Sequence, residues 1–209
     1  MAVKTRITSY ERSFQLILDR NLSPEARSKR VAAFAQQEID AADAQNRTAI
    51  GNAVPKTVTV DGRQGAPLES VNPDHGTIIA EWRLIGDVLL WIYSTLLARS
   101  PVVSGDYQRG HTLYADGAKV DPVQPPMLAG EYVYSNIVPY SRKIEIGKTE
   151  SGRDFVIQVP NRIYERTADD ASKRFGNIAK IRFTYRDAAS GAARGNRGNR
   201  VPAIVVTLK

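Results

Sequence analysis

The most regular hydrophobic pattern in the chain recurs at helical spacing over residues 77–100. Its apolar positions follow one another at intervals of four and three residues: Ile78, Trp82, Ile85, Leu89, Ile92 and Leu96, with Leu84, Val88, Trp91 and Leu97 widening the same face. This spacing is typical of an amphipathic helix with a broad buried face. We therefore predict a central core helix over residues 77–100.

A thinner apolar stripe runs along the first 50 residues. A short helix is predicted over residues 10–20, and a long one follows Ser23 and Pro24, which are a favoured N-cap and a favoured first helical residue. The long helix, over residues 24–48, carries apolar side chains at three- and four-residue spacing: Val31, Phe34, Ala35, Ile39 and Ala42. So thin a stripe favours docking on a partner surface over burial in a deep core.

The remainder of the chain alternates in the manner of short strands. Strands are predicted over residues 54–60, 107–115, 131–137, 154–159, 178–186 and 201–208, and helices over residues 139–147 and 162–175. Gly147 is a natural C-terminal stop for the first of these helices. Because regular strand–helix–strand alternation is missing, we expect an α+β fold. Its mainly antiparallel sheet of about four to six strands packs on the long central helix. The predicted domains are an N-terminal helical extension, 1–52, and a core domain, 53–209, with an arginine-rich hairpin at 190–200.

Charge changes this picture in the last third of the chain. The protein has 29 Lys and Arg against 22 Asp and Glu, a net charge of +7. Residues 1–137 carry 14 basic and 15 acidic side chains, and residues 138–209 carry 15 and 7. The excess indicates either a solvated basic face or a surface that meets an anionic partner.

Candidate catalytic chemistry is sparse. The chain has no Cys, and its two histidines, His75 and His111, lie 36 positions apart without metal-ligand spacing. Asp169 and Asp170 are typical of helix-surface ion pairs, and no phosphate-binding glycine loop or nucleophile elbow is found. We expect no catalytic, cofactor-binding or metal site and no enzyme, with a carboxylate hydrolase as the weakest alternative. The N-terminus lacks a signal-peptide apolar run, so no membrane association is expected.

The arginine-rich hairpin supports an alternative, a non-specific nucleic-acid-binding protein. Arg194, Arg197 and Arg200 lie in a glycine-rich segment that suits phosphate contacts. A solubilising hairpin tip has the same composition.

A cluster of tyrosines indicates a second kind of surface. Tyr132, Tyr134 and Tyr140 flank the short predicted helix that bears Arg142, Lys143 and Glu145. Large amphipathic rings beside both signs of charge are enriched at protein–protein contacts, although tyrosines at a sheet edge share this pattern. We expect Tyr140, Arg142, Lys143 and Glu145 to contact other proteins.

Two segments resemble a known family. Residues 98–110 (ARSPVVSGDYQRG) are similar to the segment after the long core helix of tail-completion, or neck, proteins of tailed bacteriophages, the minor tail protein Z-like family. Residues 138–147 (VPYSRKIEIG) resemble the PYAxxxExG signature of that family, preceded here by YSNI. The similar region covers about residues 77–190. It departs from the family at Ser141, where alanine is usual, in its longer N-terminal region and in its arginine-rich hairpin.

The resemblance implies a structural virion protein rather than an enzyme. Such a protein is made in the host bacterial cytoplasm and forms a homo-oligomeric ring, sixfold by expectation, at the head–tail junction. Its partners are other head–tail connector or tail proteins, with passing contact to packaged DNA. In this interpretation Arg194, Arg197 and Arg200 reach a neighbouring ring or the DNA path.

Overall fold

The computed structural model describes residues 3–7, 23–102, 104–126, 129–147, 161–188 and 199–208. The chain divides into two compact units, one from Ala2 to Leu84 and one from Ile85 onward. Both combine helices with antiparallel sheets, so the predicted α+β class is confirmed. The predicted helix at 10–20 and strand at 154–159 lie outside the described residues.

The N-terminal unit is a sheet with one long helix. Its elements are β1 (Val3–Ile7), α1 (Pro24–Ile50), β2 (Lys56–Val60), β3 (Arg63–Gln64), a short 3-10 helix (Leu68–Ser70) and β4 (Ile78–Trp82). The sheet is antiparallel in the order β1-β4-β2-β3.

Helix α1 begins at the predicted N-cap and runs two residues beyond its predicted end at residue 48. The Ser23 hydroxyl accepts a hydrogen bond from the Ala26 N–H at 3.2 Å, and Gly51 ends the helix in the left-handed conformation. Of its predicted apolar stripe, Ala35 and Ile39 are buried, together with Ala32, whereas Phe34 is 38% exposed. The buried part of the stripe therefore serves the protein's own core rather than the predicted partner surface.

Side chains tie α1 to the rest of its unit. The Ser28 hydroxyl donates to the Val71 carbonyl at 2.8 Å, and the Trp82 indole N–H donates to the Asp43 carboxylate at 2.6 Å. Because these bonds join residues 39 to 43 positions apart, the compact unit extends to Leu84. The predicted boundary after residue 52 cuts through it.

Residues 77–100 hold two elements instead of the single predicted helix. Strand β4 occupies Ile78–Trp82 and pairs with β2, with Val60 opposite Ile78. Positions four apart, such as Ile78 and Trp82, share a face in a strand as well as in a helix, so the spacing alone did not distinguish them. The helix itself is shorter and begins at Ile85.

The C-terminal unit contains the larger sheet and most of the helices. Its elements are α2 (Ile85–Arg99), α3 (Asp106–Arg109), β5 (His111–Ala115), β6 (Ala118–Val120), β7 (Tyr132–Asn136), α4 (Ser141–Ile146), α5 (Ile163–Phe175), β8 (Ala179–Asp187) and β9 (Arg200–Leu208). The five strands are antiparallel in the order β6-β5-β7-β9-β8. The strand predicted over 107–115 is thus a helical turn followed by a strand, since Gly105 and Gly110 flank α3.

The central strands of this sheet are buried on both faces. On one face Tyr134 lies between Leu113 and Ile204, and its hydroxyl donates to the Leu89 carbonyl of α2 at 2.9 Å. The opposite face carries a second apolar cluster of Tyr114, Val133, Ala203 and Val205. Complete burial of one aliphatic side chain stabilises a fold by about 1.5–3 kcal/mol, so this double-sided sheet holds much of the unit's stability.

Candidate interaction surface at helix α4

The two segments that carry the family resemblance meet at Asn136, the last residue of β7. Its amide N–H donates to the Tyr107 carbonyl at 2.7 Å, and its Oδ1 accepts the Val138 N–H at 3.1 Å. The Ile137 N–H also donates to the Gly110 carbonyl at 3.0 Å. A Cβ at position 110 would lie 2.5 Å from Asn136 Oδ1, so the close approach requires glycine. Asn136 thereby joins α3 to the chain that leads into α4.

Helix α4 is short and has two distinct sides. Ser141, Ile144 and Glu145 are buried, whereas Arg142 and Ile146 are exposed one turn apart. The helix ends at Gly147, whose φ of 76° is left-handed and whose N–H donates to the Lys143 carbonyl at 2.9 Å. The predicted short helix and its glycine stop are confirmed.

Glu145 has an internal role in place of the predicted contact. It is 3% exposed, and its carboxylate oxygens accept the backbone N–H groups of Tyr164 at 3.0 Å and Glu165 at 2.9 Å. These N–H groups belong to the first turn of α5, where a helix has donors without helical partners and favours negative charge. Burial raises the pKa of the Glu145 carboxyl, against the opposing effect of these backbone donors.

The other three predicted contact residues lie around the outer side of α4. Tyr140 is 38% exposed and its ring stacks near Tyr107, with centroids 6.5 Å apart. The Arg142 guanidinium lies 5.5 Å from the centre of the Tyr185 ring, a cation–π arrangement. Lys143 is half-buried.

Two exposed isoleucines, which the sequence pattern did not indicate, complete this surface. Ile137 is 45% exposed and Ile146 is 50% exposed. Helical spacing would have found Ile146, because it lies four positions after Arg142 on the outward side. We define the α4 surface as Ile137, Tyr140, Arg142 and Ile146.

The arginine-rich hairpin is only partly described. Arg194 and Arg197 lie outside the described residues. Arg200 is the first residue of β9, half-buried and opposite Asp187 of β8. Arg200 therefore belongs to the sheet, and a role in a projecting arm is corrected for this residue.

A buried chain of hydrogen bonds surrounds His111 beneath α5. Its Nε2 lies 2.7 Å from the Ser100 hydroxyl oxygen, and its Nδ1 lies 2.7 Å from the Tyr164 hydroxyl oxygen. The Ser100 hydroxyl donates to the Leu96 carbonyl at 2.6 Å, so Nε2 is assigned as the donor to Ser100 and Nδ1 as the acceptor from Tyr164. Every proton in this chain has an acceptor when the imidazole is neutral. Burial accordingly lowers the pKa of His111 to about 4.

The Ser100–His111 pair has the spacing of a nucleophile and its base but not the surroundings of one. Ser100 is 5% exposed and His111 is 6% exposed, and the serine proton is directed at a backbone carbonyl. The pair connects the end of α2 to the start of β5, which is a structural role. The other histidine, His75, lies on an exposed turn.

Comparisons with known proteins leave the function to be argued from the chain itself. Models of protein families, curated proteins and solved structures give no match. Within the described residues, no group of three or more His, Cys, Asp or Glu side chains is arranged to hold a metal ion. No helix in that part of the chain is long and apolar enough to cross a membrane.

Proposed function

We propose that the protein is a structural component of a tailed-bacteriophage virion that forms a ring at the head–tail junction. In this role it completes the tail, contributes to head–tail joining and contacts neighbouring connector or tail proteins. Six copies surround the path of the packaged DNA, and assembly proceeds by protein–protein packing without catalysis.

The observation that carries the proposal is the convergence of the two family-like segments. They lie about 30 residues apart in the sequence, yet Asn136 hydrogen-bonds to both, and the Tyr107 and Tyr140 rings stack between them. Two motifs that contact each other in the folded chain support the family resemblance more strongly than two separate short matches do.

The α4 surface adds a second support. It presents apolar and aromatic side chains around an arginine, a combination that is enriched at protein interfaces. Exposure of Ile137, Tyr140 and Ile146 within ten residues of chain is costly for a protein that remains alone.

Negative-stain electron microscopy and mass photometry of the purified protein test the proposal. We expect closed rings of uniform diameter whose mass is an integral multiple of 23.0 kDa. A protein that stays monomeric up to concentrations of about 100 µM, well above typical subunit affinities, contradicts the proposal.

The nucleic-acid alternative predicts a different result. A free DNA-binding protein shifts random duplex DNA at low salt and loses this binding in the triple variant Arg194→Ala, Arg197→Ala, Arg200→Ala. Rings that leave the duplex unshifted favour the virion protein, whereas monomers that bind DNA through these arginines favour the alternative.

A further inference from the structure

Strand β8 forms the long outer edge of the C-terminal sheet. It spans nine residues, Ala179–Asp187, and pairs with β9 along one side. In the part of the chain that the structure describes, no strand pairs with its other side. A strand at the edge of a sheet presents a row of backbone N–H and C=O groups that can pair with a further strand. Along β8 this row is about 30 Å long.

The two edges of this sheet differ in length. The opposite edge, β6, has only three residues, Ala118–Val120, and a very short edge strand is one of the ways in which proteins prevent pairing. Strand β8 is three times as long and contains no proline. Of these two edges, β8 is therefore the one that can hold an added strand over several residues.

Two cations lie at alternate positions on one face of β8. Lys180 and Arg182 are both exposed, on the face of the sheet that also carries Val205. No ion pair among the described residues involves either of them. Further along the same face, Arg186 is buried and pairs with Glu131 at 2.7 Å. The two exposed cations are thus available to a carboxylate of a partner.

The opposite face of this edge carries two aromatic rings. Phe183 lies opposite Ile204, on the face where Tyr134 contacts α2. The rings of Phe183 and Tyr185 are 5.3 Å apart in an edge-to-face arrangement, and both residues are half-buried. The edge therefore offers positive charge on one face and aromatic surface on the other.

We infer that β8 binds an extended acidic segment of another protein, which adds to the sheet as a further strand. Because successive side chains of a strand point to opposite faces, carboxylates at every second position of the segment meet Lys180 and Arg182. Apolar side chains at the intervening positions contact Phe183 and Tyr185. Backbone hydrogen bonds supply affinity, and the two sets of side chains supply specificity. The inference concerns the edge of one subunit and does not depend on the proposed ring.

A second copy of β8 fits this edge poorly. Two β8 strands can pair antiparallel about a two-fold axis perpendicular to the sheet. With the axis at any residue from Lys180 to Thr184, a cation of one copy lies directly opposite a cation of the other, Arg186 included. Like charges directly opposite one another destabilise a strand pair. An acidic strand turns the same positions into favourable pairs.

A nucleic acid also fits this edge poorly. Single-stranded nucleic acids bind where cations contact the phosphates and aromatic rings stack on the bases along one groove. Here the two cations and the two rings lie on opposite faces of the sheet. A nucleic acid on either face reaches only one of the two sets, whereas an added strand reaches both.

A synthetic peptide tests the inference on the full chain. The probe is a capped peptide of nine residues in which glutamate and valine alternate, matching the length of β8. We expect a dissociation constant below about 100 µM by calorimetry, and slowed hydrogen exchange at amides of β8. A peptide of equal composition, with all glutamates in one block, should bind at least about tenfold more weakly, since it lacks the alternation.

Backbone pairing is tested with two further peptides. One is methylated at the glutamate nitrogens and the other at the valine nitrogens, so that each lacks the N–H donors along one side of the strand. We expect their affinities to differ by at least about tenfold, because only one side of the peptide faces β8. Equal affinities overturn strand addition.

Charge reversal tests the two cations. Lys180→Glu and Arg182→Glu should each weaken binding about three- to tenfold, and Lys119→Glu, an equal reversal on the exposed part of β6, should leave it unchanged. An alternating lysine–valine peptide should bind the double variant Lys180→Glu, Arg182→Glu more tightly than it binds the wild type. That exchange of preference also shows that the double variant is folded.

The remaining outcomes identify other occupants. Protection of β8 that grows with protein concentration in the absence of peptide assigns the edge to a second copy. Protection by oligothymidine of about ten nucleotides assigns it to a nucleic acid. Either result, or equal binding of the alternating and block peptides, overturns the inference. Rings are measured separately, so each of these failures leaves the ring proposal standing, and an absence of rings leaves the β8 inference standing.

Discussion

Protonation of His111 should destabilise the C-terminal unit, and the size of this loss follows from the effect of burial on the pKa of its imidazole. The imidazole has an ordinary pKa of 6.5, which burial lowers to about 4 in the folded chain. Between these two pH values His111 binds a proton in the unfolded chain but not in the folded chain, so the free energy of unfolding falls as the pH falls. Relative to neutral pH, the free energy of unfolding should be lower by about 3 kcal/mol below pH 4 and by about 2 kcal/mol at pH 5.

The hydrogen-bond partners of His111 also favour the neutral imidazole, in the same direction as burial. The Nδ1 atom of His111 faces the Tyr164 hydroxyl, and the Asn136 amide lies 3.3 Å from the same nitrogen. A proton on Nδ1 would change this nitrogen from a hydrogen-bond acceptor into a donor, facing two other donors, the Tyr164 hydroxyl and the Asn136 amide. The Tyr164 proton would then need a new acceptor. The buried carboxylate of Glu145 already accepts two backbone N–H groups of α5.

Urea unfolding at about pH 7.5 and about pH 5, followed by tryptophan fluorescence and circular dichroism, measures the effect. We compare the wild type with His111→Gln, which should lower stability at neutral pH but remove the loss of about 2 kcal/mol on acidification. His75→Gln is the matched control and should keep that loss, since it leaves His111 in place. An equal pH dependence in wild type and His111→Gln would refute the buried neutral imidazole.

Three further substitutions test individual contacts of the fold. Glu145→Ala should destabilise the protein by about 1–3 kcal/mol, because two N–H groups in the first turn of α5 lose their acceptor; Glu145→Gln, which keeps one amide oxygen, should cost less in the same urea titration. Gly147→Ala should lower stability by about 1–2 kcal/mol, since φ is 76° and the added Cβ would lie 2.7 Å from the Asn161 side-chain nitrogen; an unchanged melting temperature would contradict this. In the N-terminal unit, Asp61→Ala should cost about 1–2 kcal/mol in thermal unfolding, because the Asp61 carboxylate accepts the Asn72 and Thr77 N–H groups at 2.8 and 2.7 Å, and Asp61→Asn should retain part of that stability.

Local signals in the sequence predicted much of the fold. Helix α1 has its predicted N-cap at Ser23, helix α4 stops at Gly147, and strands β8 and β9 form the predicted antiparallel pair. Each of these depends on residues close together in the chain, where capping, glycine conformation and side-chain alternation decide the structure.

The features that escaped prediction depend on distant partners. The split of residues 77–100 into β4 and α2 depends on pairing with β2, since Ile78 and Trp82 fit either element. Glu145 lies in a short helix among basic residues, which favoured a surface position, but its two acceptor bonds reach α5 about 20 residues later. The charge pattern alone does not show that a carboxylate will cap another helix.

The buried His111 chain escaped prediction for the same reason. Ser100 directly follows α2, whereas His111 lies in β5 and Tyr164 in α5, 53 positions after His111. No spacing rule links them. The sequence indicated only that a lone histidine is more often structural than metal-binding, and the structural role is what the hydrogen bonds describe.

The position of β9 affects how fast the C-terminal unit folds. This strand lies between β7 and β8, and its pairing with β7 joins residues such as Tyr134 and Ile204 across about 70 positions of chain. Closing so long a loop costs conformational entropy before the favourable contacts between β7 and β9 form. Sheets of this kind are therefore among the slower folders, in about the millisecond-to-second range. During synthesis on the ribosome, β5 and β7 emerge before β9. Until β9 is made, the edge of β7 that will pair with it has no partner strand. When many chains are synthesised at once, the unpaired edge of β7 is a place where one nascent chain is exposed to mispairing with another.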